Sequence, residues 1–122
     1  MNGDTTLAAM VGAAIARHPR ETAVIGPDGV AHDYAALDAM ADRFAAALAG
    51  AGVVRGDRVG VCRVKSFETV AALVGIMRLG AAYVPVDPMS PAERNRTIFG
   101  DCAIRALVTE PPALEQIGRA HV

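Results

Sequence analysis

The sequence predicts an α/β chain: an N-terminal β-hairpin followed by the βαβαβ units of an open parallel sheet. Three observations carry that reading. Residues 58–108 alternate strand-like and helix-like stretches, as two successive βαβ units do, and right-handed crossovers then place the strands in one parallel sheet. The run Ala81–Val86 is almost wholly apolar, as expected of a strand covered on both faces. Upstream, Gly26-Pro27-Asp28-Gly29 separates two short strand-like stretches, with proline pre-set for the second turn position and Gly29 free to take positive φ.

Leu7, Met10, Val11, Ala14 and Ile15 recur at helical spacing, so a helix is expected from about Thr6 to Arg17. Thr5 or Thr6 caps it, and His18-Pro19 stops it. Glu21–Ile25 and Val30–Asp33 form the hairpin strands. Asp33 caps the next helix, where Tyr34, Leu37, Ala41, Phe44 and Leu48 face inward and Asp38, Asp42 and Arg43 face water. Gly50 and Gly52 end it. Arg58–Val64 reads as a strand. Ser66 caps a helix running to Arg78 that is apolar nearly all round, and Gly80 closes it in the left-handed conformation. After the strand Ala81–Val86, Ser90, Pro91 and Glu93 read as a capping box opening a helix to about Gly100. A last strand spans about Ile104–Val108, before Pro111-Pro112 breaks the pattern. Two such βαβ units are expected to cover one sheet face and leave the other face and an edge bare, so the chain alone is expected to be marginally stable.

The chain has 122 residues, enough for one modest core. It is 52% hydrophobic with a mean hydropathy of +0.30, and alanine inflates both figures. A net charge of −1 with no long run of either sign, together with 4% aromatics, gives no footprint for nucleic acid. Cys62 and Cys102 lie in apolar settings without a Cys or His partner at metal-ligand spacing, so both read as reduced core thiols. No apolar run reaches membrane-spanning length, and Met1–His18 lacks the basic leader of a secretory signal; a cytoplasmic location is expected.

Candidate chemistry is sparse. The glycines at 52, 56 and 60 fit neither a P-loop nor a dinucleotide fingerprint and read as turn glycines. Lys65-Ser66 stands at the carboxyl end of a strand, where open α/β sheets place ligands, and a helix N-terminus beside a lysine could hold an anion. The plainer and favoured reading is a capping serine next to a solvated lysine. His18, His32 and His121 are scattered without acidic partners at useful spacing. The sequence therefore offers no catalytic, cofactor-binding or metal-ligating residue.

Three segments resemble the AMP-forming adenylating enzymes, the superfamily of nonribosomal peptide synthetase adenylation domains, acyl-CoA ligases and luciferases. Met77 to Asp87, MRLGAAYVPVD, resembles the core motif Leu-Lys-Ala-Gly-x-Ala-Tyr-Val-Pro-Leu-Asp, with Arg78 for the lysine and Leu79 for the alanine. Tyr34 and Leu37 match the family's first motif, in which His32, Asp33 and Ala36 depart from the usual leucine, hydroxyl residue and glutamate. Gly56-Asp57-Arg58-Val59 resembles the family's Gly-Asp-x-Val turn into a strand. The wording of Tyr83–Asp87 is most like the amino-acid-adenylating branch.

The resemblance implies an N-terminal segment of a ligase that uses ATP and Mg²⁺ to activate an amino acid, or another carboxylic acid, as an acyl-adenylate. The acyl group would pass to a phosphopantetheine thiol on a carrier domain, or to CoA. The family's phosphate loop ending in Pro-Lys-Gly, its adenine and ribose motifs and its C-terminal lysine have no counterpart here, so the fragment itself is expected to be inactive. A fatty or aryl acyl-CoA ligase is the alternative, as is a small non-catalytic flavodoxin-like module. The expected organisation is a partial adenylation domain over residues 1–116 with a candidate read-through tail at 117–122. Those six residues can be encoded by a string resembling a sequencing adapter; an ordinary helix end is the alternative.

Overall fold

The computed structural model describes residues 6–110. Along them run α1 (Leu7–Arg17), β1 (Thr22–Ile25), β2 (Ala31–Asp33), α2 (Tyr34–Gly50), β3 (Arg58–Cys62), α3 (Phe67–Arg78), β4 (Ala82–Pro85), α4 (Ala92–Cys102) and β5 (Ala106–Thr109). Every expected element is present, with ends that differ by at most two residues. The expectations for Thr5, Pro111-Pro112, His121 and the 117–122 tail fall outside the described residues.

Helix ends follow local chemistry. The side chains of Thr6, Asp33 and Ser66 accept the N–H groups of Ala9, Ala36 and Thr69, satisfying donors that an α-helix leaves orphaned. At the end of α3, Gly80 takes φ 72°; its N–H donates to the Met77 carbonyl and that of Ala81 to Ile76, a Schellman closure. The same pair of bonds closes α2 at Gly52 and Val53. It also closes α4 at Ala103 and Ile104, where a non-glycine residue sits at φ 52°.

The start of α4 corrects the sequence reading. Ser90 does not cap it: Pro91 is the N-cap residue, without a side-chain cap bond. The turn is organised from Asp87 instead. Its carboxylate accepts the Met89 N–H at 2.8 Å, and its carbonyl accepts the Ser90 N–H at 3.0 Å and Asn95 Nδ2 at 2.9 Å. An Asp two residues before a free N–H competes for it more locally than a serine cap can. Asn95 is 2% exposed, and that bond ties the second turn of α4 to the end of β4.

β3 is the centre of a three-stranded parallel sheet in the order β4-β3-β5. The chain steps from β3 to one side and then crosses over it to the other, so right-handed crossovers put α3 and α4 on opposite faces. Packing agrees. Val59, Val61, Ala106 and Val108 join Ala72 and Ile76 of α3 and Leu48 of α2, whereas Cys62 and Leu107 meet Phe99 of α4. The expectation that one face stays bare is thus corrected.

Gly60 is the position that lets α4 approach. A Cβ there would lie 2.7 Å from Phe99 Cε1, so this residue is a strand glycine facing a helix, not the turn glycine that its spacing suggested. β4 is also corrected. It is an edge strand with Ala82, Tyr83 and Pro85 exposed, not a doubly covered one.

A second core lies between α2, α3 and the hairpin, built on Leu37, Ala41, Phe67, Ala71 and Val74, with Ala23 and Val24 of β1 against it. β1 and β2 pair antiparallel through the expected turn, where Gly29 takes φ 81° and its N–H donates to Gly26. The His32 ring stacks on Phe67 with centroids 3.8 Å apart and planes 4° off parallel. α2 and α3 cross so closely that a Cβ on Gly75 would stand 2.8 Å from the Ala41 carbonyl oxygen. Arg78 clamps the same pair, its Nη2 2.8 Å from Asp38 Oδ1 and its Nη1 2.7 Å from Asp42 Oδ1.

Candidate functional site

The place to look for chemistry is the carboxyl end of β3 and β5, where the chain reverses its direction across the sheet. Here the polar groups are engaged with one another. Thr69 Oγ1 donates to the Val64 carbonyl at 2.7 Å, leaving its lone pairs for Arg63 Nε at 3.2 Å and the Ser66 hydroxyl at 3.0 Å. Ser66 Oγ also accepts the Thr69 N–H at 3.1 Å. From β5, Thr109 Oγ1 donates to the Cys62 carbonyl at 3.1 Å. Glu110 Oε1 accepts the Val64 N–H at 3.3 Å and lies 3.9 Å from Arg63 Nε.

Lys65 projects from this knot without a hydrogen bond or ion pair to any described residue, and it is exposed. It borders a cleft of about 460 Å³ against the hairpin and another of about 680 Å³ against the residues after β4. The capping role of Ser66 is present, and its hydroxyl is committed to Thr69, so the geometry gives Lys65-Ser66 the plainer of its two readings. Arg63, Thr69 and Glu110, which complete the knot, were not singled out by sequence; they lie up to 47 positions apart and share no motif.

The histidines stay dispersed, but the expectation that His18 lacks an acidic partner is corrected: its Nδ1 lies 2.6 Å from Glu21 Oε2, three residues on, at the surface, while His32 is held in the hairpin stack. Cys62 is buried and Cys102 half-buried, both as free thiols. Burial pushes the Cys62 thiol pKa up, and the Glu110 charge adds to the shift. Among the described residues no group of three His, Cys, Asp or Glu side chains could hold a metal ion. No helix among them is long and apolar enough to cross a membrane.

Two of the three motif segments meet in space as backbone, not as a reactive centre. The Gly56 N–H donates to the Gly80 carbonyl at 3.0 Å and the Ala82 N–H to Asp57 at 2.9 Å, so the turn into β3 is bonded to the end of α3 and the start of β4. Asp57 Oδ2 takes the Val54 N–H at 2.8 Å.

This architecture is that of the N-terminal part of adenylating enzymes, and the chain belongs to the AMP-binding enzyme family, whose model matches residues 11–121. Among curated proteins it is similar to N-(5-amino-5-carboxypentanoyl)-L-cysteinyl-D-valine synthase of Streptomyces clavuligerus, 45% identical over 109 residues, covering 87% of this chain and 13% of that protein. Malpibaldin synthetase of Mortierella alpina is 44% identical over 91 residues, 69% of this chain and 2% of that one. The L-proline--[L-prolyl-carrier protein] ligase of Pseudomonas fluorescens is 38% identical over 103 residues, 84% of this chain and 20% of that one. The chain therefore spans a fifth or less of these relatives.

Among solved structures, the nonribosomal peptide synthetase FmoA3 superposes with a TM-score of 0.83 at 30% identity, covering 92% of this chain and 12% of that one. The N-terminal domain of FACL13 from Mycobacterium tuberculosis gives 0.82 at 28% identity, covering 90% and 28%.

Proposed function

We propose that these residues are the opening segment of an ATP-dependent ligase that activates an amino acid as an acyl-adenylate and passes it to a phosphopantetheine thiol on a carrier domain. The observation that carries this reading is the family match over residues 11–121 combined with 45% identity to a peptide synthetase. The Met77–Asp87 segment points the same way. On this reading residues 1–116 belong to the adenylation domain.

ATP and Mg²⁺ would be substrate and cofactor of the complete enzyme. The described residues do not fit them: no glycine-rich loop leads from a strand into a helix, and the strand ends at β3 and β5 are filled by the Arg63–Thr69–Glu110 knot. The described segment is thus read as scaffold, and no chemical step is assigned to it.

Protein expressed from the complete reading frame should catalyse amino-acid-dependent ATP–pyrophosphate exchange and load the chosen amino acid onto a phosphopantetheinylated carrier. The second reading, an acyl-CoA ligase, is supported by the likeness to a fatty acyl CoA synthetase of Mycobacterium tuberculosis, 28% identical with a TM-score of 0.82. Exchange driven only by fatty or aryl acids, with a CoA thioester as product, would establish it instead.

A further inference from the structure

We draw no further inference here: the strongest candidate, the apolar surface of the two clefts that share Pro27 and Lys65 at the carboxyl end of β3, where Ile25, Val64 and Met89 are exposed, carries none because nothing in the structure shows what covers it.

Discussion

A single methyl group separates glycine from alanine, and at position 75 the structure has no room for it. Its Cβ would meet the Ala41 carbonyl oxygen at 2.8 Å, Phe44 Cβ at 3.0 Å and the Ala45 nitrogen at 3.1 Å. Backbone cannot step aside as a side chain can. Gly75→Ala should therefore destabilise by about 1–3 kcal/mol through overpacking, despite alanine's better helix propensity of about 1 kcal/mol. Ala103 is the opposite case. Its left-handed φ of 52° is costly for an L residue, by about 1–2 kcal/mol, and the unfolded-chain entropy of glycine returns only part of that. Ala103→Gly should raise stability by about 0.5 kcal/mol, and urea unfolding of both variants checks the pair.

Cys62 supplies a pH test at the same scale. Burial raises its thiol pKa, the Glu110 and Asp87 charges add to the shift, and the Thr109 hydroxyl opposes it. The folded thiol thus holds its proton more firmly than the unfolded one. Its contribution to stability is whole below the ordinary thiol value of about 8.5 and is lost as pH rises above it. Unfolding measured between neutral pH and pH 10 should show an alkaline decline that Cys62→Val reduces. A Cys62→Val protein with an unchanged decline would contradict this assignment.

At the scale of elements, the start of α4 separates what a motif suggests from what the chain does. Ser90→Ala should change stability by less than about 0.5 kcal/mol, since its hydroxyl caps nothing. Asn95→Ala should cost about 1–3 kcal/mol, because it withdraws a buried donor from the Asp87 carbonyl. Thermal unfolding ranks the two, and a larger effect at Ser90 would restore the capping box.

The same comparison shows which features can be read in advance. Gly80 was legible because little else tolerates the left-handed end of a helix. Asp33 and Ser66 were legible because a cap is a contact between residues three apart. The edge position of β4 was not, since an apolar run looks alike in a central strand and an edge strand until the register is known. Gly75 gave no signal, because its reason is the backbone of another helix 34 positions away. At the strand-end site, Ser66 and Lys65 could be found from the helix start beside them. Arg63, Thr69 and Glu110 could not, because only the fold brings β3, α3 and β5 together.

For the whole molecule, the resemblance was readable in three short segments, two of which the structure joins: the Gly56–Val59 turn and the Met77–Asp87 stretch bond to one another through the backbone around Gly56, Asp57 and Gly80, while Tyr34 and Ala35 bond to Glu21 and Pro19. They build a frame and contain no reacting group. The 122-residue chain should accordingly show no acid-dependent ATP–pyrophosphate exchange, and saturable ATP binding abolished by Lys65→Ala would overturn that expectation. With helices on both sheet faces, the most exposed large apolar side chains among the described residues are Met89, Ile25, Val54, Met10 and Leu7, with Tyr83 of β4 less so. Hydrophobic-dye binding and light scattering should fall when the downstream segment is present. One contact also gives the molecule a built-in reporter. It has no tryptophan, so intrinsic fluorescence says little about whether the hairpin is seated. The imidazole of His32, lying flat over Phe67 at 3.8 Å, sits in the shielding cone of that ring. Its carbon-bound protons should resonate well upfield of free histidine and move back as the hairpin lifts away, giving a label-free signal for that one event apart from global unfolding.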